Sequence, residues 1–413
     1  MKTLRHYTGA LVAAGLAIGA GVAEADDVAL FSDKGIWTEQ LNEYSDAARE
    51  AMGVGLDHNA YPAADQYIAF IQSSLASGEL PQMFTWWTGG LYRDIIDTGE
   101  VADLGALWDD AVASGEFDPG LREFLSVDGK VYGVPLHLST WTAFYNKDHF
   151  ETAGITSEPQ TWDEFLDAAA KLKAAGITPF HATVQDGWRG FIWFQEIMIR
   201  TDPEAYAGLH TGDVAYDSEP VRNAFKIWSD WYDKGYFTDP RSREEAADFA
   251  RGEGAIYLMG DWVIGQLEAR GMKAGEDFSG FIMPNADVSM PSSIIVEGAP
   301  IMLSKEGAEN PDVVAALKHF MSLEGANVWA AVSGNAIGNL KANSPNAVVE
   351  KINADMAERG TLALDRWWEA VPSDLQSDFA AEFAAFMLDP TMENAEEIMA
   401  RMQEANAEYW ADQ

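Results

Sequence analysis

The sequence predicts an α/β protein with two domains, and three observations lead to this prediction. Short apolar runs bounded by turn residues alternate with segments of helical period along the chain. At about 100–200 residues per domain, a length of 413 residues is enough for two. A hydrophobic fraction of 47% supplies large cores and argues against a disordered chain.

The first 25 residues predict an export signal. Lys2, Arg5 and His6 precede an apolar run at 9–23, which is shorter than the roughly 20 residues of a membrane-spanning helix. Ala23-Glu24-Ala25 then has the small-x-small pattern of a signal peptidase site. The apolar residues surround the segment instead of forming one stripe, which disfavours an ordinary buried helix. We expect cleavage after Ala25 and an exported protein, most simply a periplasmic one.

The strands are predicted where apolar runs end at turn residues, and the helices where apolar residues recur at helical spacing. Thr161 and Glu164 form a capping box for one helix, which Gly176 ends. Asn310 caps a second helix, which Gly325 ends. Further helices are predicted at 67–76 and over most of 374–409, and strands at 28–31, 81–87, 130–135, 254–260, 281–284 and 294–296.

Composition excludes several classes of function. The chain has no cysteine, which removes disulfides, thiolate metal sites, cysteine nucleophiles and a lipid-modified N-terminal cysteine. A net charge of −39 makes nucleic acids and anionic membranes improbable partners, because long-range repulsion opposes their approach. We therefore expect a protein that diffuses freely after export.

Catalytic and nucleotide-binding motifs are missing from the sequence. There is no phosphate-binding Gly-x-x-x-x-Gly-Lys-Ser/Thr, no His-Glu-x-x-His and no Gly-x-Ser-x-Gly. The seven histidines never fall at metal-ligand spacing. We expect no catalytic residue, no metal and no cofactor. A pair of glycosidase carboxylates remains an alternative, because its members need to be close only in space.

Several segments resemble a known family. The first is Ala76-Ser77-Gly78 with Pro81, Phe84 and Trp86 following, then Gly89-Gly90. The resemblance continues through the segments 128–135, 145–150, 153–155, 161–164, 252–262 and 281–284, and thus covers nearly the whole mature chain. Their order and spacing resemble the family 1 extracellular solute-binding proteins, the sugar receptors of ABC importers, to which the maltose-binding proteins are related. Pro81-Gln82-Met83 departs from the common Pro-Asp-Val/Ile, and Gly334-Asn335-Ala336 departs from a Gly-x-x-Pro turn.

The resemblance implies a two-lobed periplasmic-binding-protein fold of type II, with discontinuous lobes joined by a hinge. It places residues 26–138 and 299–344 in the N-terminal lobe, and 139–298 and 345–413 in the C-terminal lobe. The chain would cross between the lobes near Leu138, Ala299 and Ser344. Sugar would bind in the cleft, and a membrane permease would recognise the closed form.

The residues of the sugar site are predicted from the two kinds of surface that a sugar presents to a protein. Its flat C–H faces pack on aromatic rings, and its hydroxyls bind charged or amide side chains. Asp33 and Lys34 resemble the pair that reaches sugar hydroxyls in maltose-binding relatives, and Trp262 resembles the family's stacking aromatic. The other predicted ligand-binding residues are Trp86, Trp87, His137, Trp141, Asp186, Trp188, Arg189, Asp261, Glu297, Gly298, Trp367 and Trp368.

Two pairs of adjacent tryptophans are each expected to have one ring in the site. Strand alternation predicts that one of Trp86 and Trp87 points into the cleft and the other points away. One of Trp367 and Trp368 is expected in the site and the other in the core. Further tryptophans and a phenylalanine lie on predicted helical faces and are expected to pack in the core: Trp162, Phe165, Trp228, Trp231 and Trp329.

The sequence therefore predicts a non-enzymatic, monomeric sugar-binding protein of an ABC importer. The number of candidate tryptophans favours a neutral di- or oligosaccharide, and the Asp33-Lys34 match places α-glucosides first. An anionic sugar, for which Lys34 and Arg189 would supply charge, is one alternative. An exported glycoside hydrolase or lyase is the alternative from a different class.

Overall fold

The structure is a computed structural model that describes residues 27–411. The predicted signal peptide and its cleavage site after Ala25 lie outside these residues. Within them, no helix is both long enough and apolar enough to cross a bilayer.

The described part of the chain is a mixed α/β protein, as predicted. Its strands, in chain order, are β1 (Val28–Ser32), β2 (Leu56–Ala60), β3 (Met83–Thr85), β4 (Ser126–Val127), β5 (Lys130–Val131), β6 (Gly133–Asn146), β7 (Phe180–His181), β8 (Ile256–Gly260), β9 (Phe278–Phe281), β10 (Ser293–Leu303) and β11 (Leu362–Asp365).

The helices connect these strands and cover the sheet. They are α1 (Thr38–Met52), α2 (Ala64–Ser77), α3 (Gly90–Asp97), α4 (Gly105–Ala113), α5 (Pro119–Phe124), α6 (Lys147–Thr152), α7 (Trp162–Ala174), α8 (Phe191–Thr201), α9 (Pro203–Thr211), α10 (Glu219–Asp233), α11 (Glu245–Ala250), α12 (Val263–Glu268), α13 (Lys305–Glu309), α14 (Pro311–Met321), α15 (Leu323–Ser333), α16 (Ala347–Arg359), α17 (Trp367–Ala370), α18 (Ser373–Leu388) and α19 (Met392–Ala411). Short 3-10 helices lie at Gly35–Trp37 and Trp188–Gly190.

One mixed sheet runs through the molecule in the order β2-β1-β3-β10-β6-β8-β7, with β11 added to β10 and β9 added to β6. Helices α1 and α14 contact the half that contains β1, β2 and β3, and we call this half with its helices the first lobe. Helices α8 and α16 contact the half that contains β7, β8 and β9, which with its helices is the second lobe.

Two long strands, β6 and β10, connect the lobes. β6 pairs with β10 over residues 133–140 and with β8 and β9 over residues 141–146. β10 pairs with β3 near its end and with β11 near its start. The predicted crossing points at Leu138 and Ala299 lie on these strands, where Leu138 is opposite Gly298. The lobe boundaries themselves, including the one near Ser344, stay predictions.

The helix start predicted at Thr161 is confirmed, whereas the helix end predicted at Gly325 is wrong. The Thr161 side chain accepts from the Glu164 N–H at 3.2 Å, and Gly176 follows α7 with a left-handed φ of 79°. Gly325 does not end the second helix. α14 stops at Met321, and the Ser322 hydroxyl accepts from the Gly325 N–H at 3.1 Å to begin α15. A Cβ on Gly325 would overlap the His319 carbonyl, so close packing explains this glycine.

The predicted strands are confirmed in position, but the lengths of several differ from the prediction. The run 81–87 is a strand only at Met83–Thr85, and of the run 281–284 only Phe281 belongs to a strand, as the last residue of β9. The helix predicted at 67–76 is α2, and the helical tail is α18 with α19. The predicted packing residues Phe165, Trp228, Trp231 and Trp329 are buried, and Trp162 is half-buried.

Candidate ligand-binding cleft

A cavity of about 1090 Å³ lies between the lobes and is lined by residues from both. It is larger than the roughly 300–1,000 Å³ typical of pockets for drug-sized molecules. Eleven of the fifteen predicted site residues line it: Asp33, Lys34, Trp86, Trp87, His137, Asp186, Trp188, Arg189, Trp262, Glu297 and Trp368. Four do not: Trp141, Asp261, Gly298 and Trp367.

Asp33 and Lys34 form part of the first-lobe wall just after β1. The Lys34 backbone N–H donates to the Ser32 hydroxyl at 3.1 Å, which folds the turn. The Lys34 Nζ lies 2.7 Å from the Asp33 Oδ2 and 5.2 Å from the centre of the Trp87 ring. The turn therefore presents a neutralised pair of charges beside an aromatic ring.

Both Trp86 and Trp87 line the cavity, contrary to the prediction that one ring points away. Alternation does not apply because β3 ends at Thr85, before either residue. The two rings are 5.1 Å apart at an angle of 66°. The Trp86 Nε1 donates to the Leu91 carbonyl at 2.8 Å, so this indole is held by the start of α3.

Trp188 and Trp262 form the aromatic part of the second-lobe wall, with ring centres 6.4 Å apart. Trp262 follows β8, and its indole lies close over Gly260, where a Cβ would overlap the ring. Trp188 lies in a tight turn formed by Asp186 and Gly187, whose φ values are 57° and 76°. Left-handed φ is uncommon for a residue other than glycine.

Asp261 lies behind the cavity wall. Its Oδ2 accepts from the Thr140 N–H at 3.2 Å and the Thr140 hydroxyl at 3.1 Å, which connects β8 to β6. Burial raises the pKa of Asp261 from its ordinary value of 3.8 to about 6, although these hydrogen bonds oppose the rise. The side chain therefore supports the turn that carries Trp262.

Glu297 lies at the floor of the cavity on β10 and joins three segments of the chain. Its Oε2 accepts from the Trp141 Nε1 at 3.0 Å and pairs with the Arg366 Nη1 at 2.9 Å. Arg366 also binds Glu369, with 2.7 Å between the Arg366 Nε and the Glu369 Oε2. Burial, the largest influence, would raise the pKa of Glu297, but the Arg366 guanidinium, the Lys34 ammonium and the hydrogen bond from Trp141 act together against it, and this pKa lies below its usual range.

His137 is a neutral group beside Glu297. Burial lowers the pKa of His137 to about 3, so the ring carries no charge at neutral pH. Its Nδ1 is 3.1 Å from the Ser139 hydroxyl, and its Nε2 is 4.0 Å from the Glu297 Oε1, which is too far for a hydrogen bond.

The tryptophan pair of α17 divides as the sequence indicates. Trp368 lines the cavity, whereas Trp367 is fully buried against Phe191 with ring centres 5.3 Å apart. The Trp367 Nε1 is 3.3 Å from the Tyr216 hydroxyl. Trp141 is buried beside Trp188, and Gly298 lies on β10 next to Glu297 without lining the cavity.

Sequence reasoning missed several cavity residues. Trp37 lines the wall with its ring 4.7 Å from His137, and its closeness to the Asp33-Lys34 turn was a usable signal. Arg366 directly precedes a predicted tryptophan. Arg243 and Glu245 lie in a charged run that resembles a solvent-exposed turn, and nothing in the sequence marks them.

Among residues 27–411, no three His, Cys, Asp or Glu side chains converge into a possible metal site. The cavity is instead lined by six indoles that come from both lobes and from α17, with charges that are mostly paired. Such a surface suits an uncharged ligand with both apolar faces and hydroxyl groups.

The family described as bacterial extracellular solute-binding protein matches residues 43–357. A probable sugar-binding periplasmic protein of Brucella melitensis is 29% identical over 240 residues, which are 53% of this chain and 55% of that protein. The chain spans about half the length of the curated relatives that it matches.

Solved structures are similar in fold over almost their whole length. A chitin oligosaccharide binding protein superposes with a TM-score of 0.80 at 21% identity, covering 93% of this chain and 98% of that chain. The bacterial solute receptor AcbH, whose structure is described with an exclusive preference for β-D-galactopyranose, superposes with a TM-score of 0.79 at 17% identity, covering 93% and 99%.

Proposed function

Because the chain belongs to the family of bacterial extracellular solute-binding proteins, we propose that it is the substrate-binding component of an ABC importer and binds a neutral di- or oligosaccharide in its cleft. It acts without catalysis, as a monomer in the periplasm after cleavage behind Ala25. The membrane permease of the importer receives the sugar from the closed form.

The observation that carries this proposal is the spacing of the indoles around a cavity of about 1090 Å³. Trp87 lies on the first lobe, Trp188 and Trp262 lie on the second, and Trp368 lies on α17. A single sugar ring offers about two faces for stacking, so aromatic surfaces on separate walls favour more than one sugar unit. Relatives described as binding sugars and chitin oligosaccharides agree with this ligand class.

Paired charges favour a neutral sugar over an anionic one. Lys34 is bound to Asp33, and Arg189 is bound to Asp186 and Glu245. The same wall also carries Arg243 and Arg270, which have no carboxylate within 4.0 Å in the described part of the chain. These two arginines favour the anionic sugar as the second candidate.

The pKa of Glu297 argues against a glycoside hydrolase that would use this carboxylate as its general acid. A general acid needs a raised pKa to hold its proton at neutral pH. The Glu297 carboxylate, deep in the cavity, has a lowered pKa instead. Asp261, whose pKa is raised, does not line the cavity.

A thermal-shift screen tests the proposal. The panel contains glucose, galactose, maltose, maltotriose, xylotriose, chitotriose and oligogalacturonates, with α-glucosides first because of the Asp33-Lys34 turn. A sugar at 100 times its dissociation constant stabilises the folded state by about 2.7 kcal/mol. We expect a neutral oligosaccharide to raise the melting temperature most. A shift with oligogalacturonates alone would select the anionic alternative, and no shift with any carbohydrate would contradict the proposal.

A further inference from the structure

Arg189 has almost no hydrogen-bonding capacity left for a ligand. Its Nε donates to the Glu245 Oε2 at 2.7 Å, and its Nη2 donates to the other oxygen of the same carboxylate. Its Nη1 donates to the Asp186 Oδ2 at 2.9 Å and to the Gln185 carbonyl at 3.3 Å. An arginine has five N–H donors, and these contacts occupy four of them.

The same guanidinium covers one face of Trp188. The Arg189 Cζ lies 4.2 Å from the centre of the indole, within the range of a cation–π contact. Trp188 is nevertheless only half-buried and lines the cavity. The part of the ring that faces the cavity is therefore the part that a ligand can contact.

The backbone of this turn depends on the same arginine. Asp186 and Gly187 are consecutive residues with left-handed φ, a conformation that is unfavourable for a residue other than glycine. The Asp186 carboxylate, which is otherwise exposed, is held by the Arg189 Nη1. Glu245, on the buried side of the guanidinium, fixes Arg189 in turn.

We propose that Arg189 and Glu245 are positioning residues for Trp188: they hold the indole in its binding orientation before a sugar arrives. Asp186 and Arg189 thus act through the ring and not by direct contact with hydroxyl groups. Holding a large side chain in place before the ligand arrives removes the cost of ordering it from the binding step. The sugar in this inference rests on the proposed function, whereas the orientation of the Trp188 ring does not depend on it.

Fluorine NMR of ligand-free protein labelled with 5-fluorotryptophan tests the orientation. Trp188→Phe assigns the Trp188 resonance. We expect Arg189→Lys and Glu245→Gln to shift and broaden this resonance, because lysine lacks the planar fork that covers the ring. Arg222→Lys is the matched control, since Arg222 makes a similar two-point contact with Glu396 far from the cavity. An unchanged Trp188 resonance in Arg189→Lys would overturn the proposal.

A binding cycle with maltotriose separates positioning from general stability. We expect Arg189→Lys to weaken maltotriose affinity about tenfold in the wild-type background and less than twofold in Trp188→Ala. Equal losses in both backgrounds would show that Arg189 does not act through Trp188. If maltotriose fails to bind even the wild type, that result counts against an α-glucoside, and the cycle is run with the sugar that the thermal-shift screen identifies, while the fluorine spectra still decide the orientation.

A variant that leaves a buried charge unpaired can fail to fold, because an unpaired buried ion is strongly destabilising. The double variant Arg189→Met with Glu245→Gln removes both charges together and avoids this problem. It is expected to give the same change at Trp188. A folded double variant with the wild-type Trp188 resonance would equally overturn the proposal.

Discussion

Tryptophans of this chain differ in whether their surroundings leave a ring face open to the cavity. Trp367 and Trp368 are adjacent, yet one is enclosed by Phe191 and Tyr216 while the other lines the cleft. A ligand can contact only the rings that line the cavity. The effect of a tryptophan substitution on sugar binding should therefore follow the position of the ring and not its burial.

Trp262→Ala is expected to weaken binding of the sugar identified in the screen at least tenfold. Covering on the order of 100 Å² of apolar sugar face at about 25 cal/mol per Å² gives about 2.5 kcal/mol as an upper figure, and tenfold corresponds to 1.4 kcal/mol. Trp231→Ala is the control, because Trp231 is also buried but does not line the cavity. Both variants should lose stability, and calorimetry should show that only Trp262→Ala loses affinity. If Trp262→Ala bound the sugar as tightly as the wild type, Trp262 would not belong to the site.

Because of Asp261, we expect the free energy of unfolding to depend on pH in the mildly acidic range. Its pKa is raised from 3.8 to about 6 in the folded state, so the folded protein retains a proton that the unfolded chain releases. The stabilisation from this proton is complete below about pH 4 and is lost as the pH rises to about 6. At 1.36 kcal/mol per pKa unit the loss is roughly 3 kcal/mol at most.

Asp261→Asn keeps an oxygen acceptor for Thr140 but does not titrate. Unfolding in urea across pH 4–7 should therefore show the variant gaining stability relative to the wild type as the pH rises. Parallel curves for the two proteins would contradict the raised pKa.

At the scale of elements, the contact between α3 and α17 sets one edge of the cleft. Gly89 precedes α3 with φ 75° and ψ −139°, a region that is nearly restricted to glycine. A Cβ at this position would overlap the Glu369 carbonyl of α17. Glu369 binds Arg366, which binds Glu297, so this close approach also fixes the cavity floor.

Gly89→Ala is expected to lower the free energy of unfolding by at least about 2–3 kcal/mol, since backbone strain adds to a steric overlap. Gly78→Ala is the control: Gly78 has the same φ of 75° at the end of α2, but open space surrounds its Cβ position. The control should lose only about 1–2 kcal/mol. Urea titration measures both, and equal losses would show that the overlap with α17 is relieved at no cost.

Elements with local signals were predictable from sequence, and contacts between distant segments were not. The Thr161 capping box needs only four consecutive residues and is confirmed. The Ser322 cap that divides α14 from α15 is equally local, but a glycine favours a helix end as well, and only the packing of Gly325 on the His319 backbone shows its actual role. The ion pair of Arg189 with Glu245 joins residues 56 positions apart, so no local pattern contains it.

The net charge of −39 belongs to a chain in which, within residues 27–411, ion pairs use a minority of the carboxylates. Like charges repel one another more in the compact state than in the unfolded chain. The acidity therefore opposes folding at low ionic strength, and the ligand cavity is one of the places where charges are paired.

Salt is expected to stabilise the protein. The screening length falls from about 10 Å at 0.1 M salt to about 3 Å at 1 M, which weakens the repulsion among surface carboxylates. The melting temperature should rise between 0.05 and 1 M sodium chloride. Choline chloride at the same ionic strength should act similarly if screening is the cause. A constant or falling melting temperature in sodium chloride would contradict this account.

The continuous strands β6 and β10 also limit how the lobes of this protein can be exchanged with those of a relative. A chimera would need junctions at each proposed boundary, and the junctions near Leu138 and Ala299 would interrupt two strands that pair with each other. Each junction would have to preserve the register in which Leu138 faces Gly298. Ligand preference in this protein is therefore more readily altered by replacing short wall segments, such as the turn at Asp186 or the one at Asp33, than by recombining whole lobes.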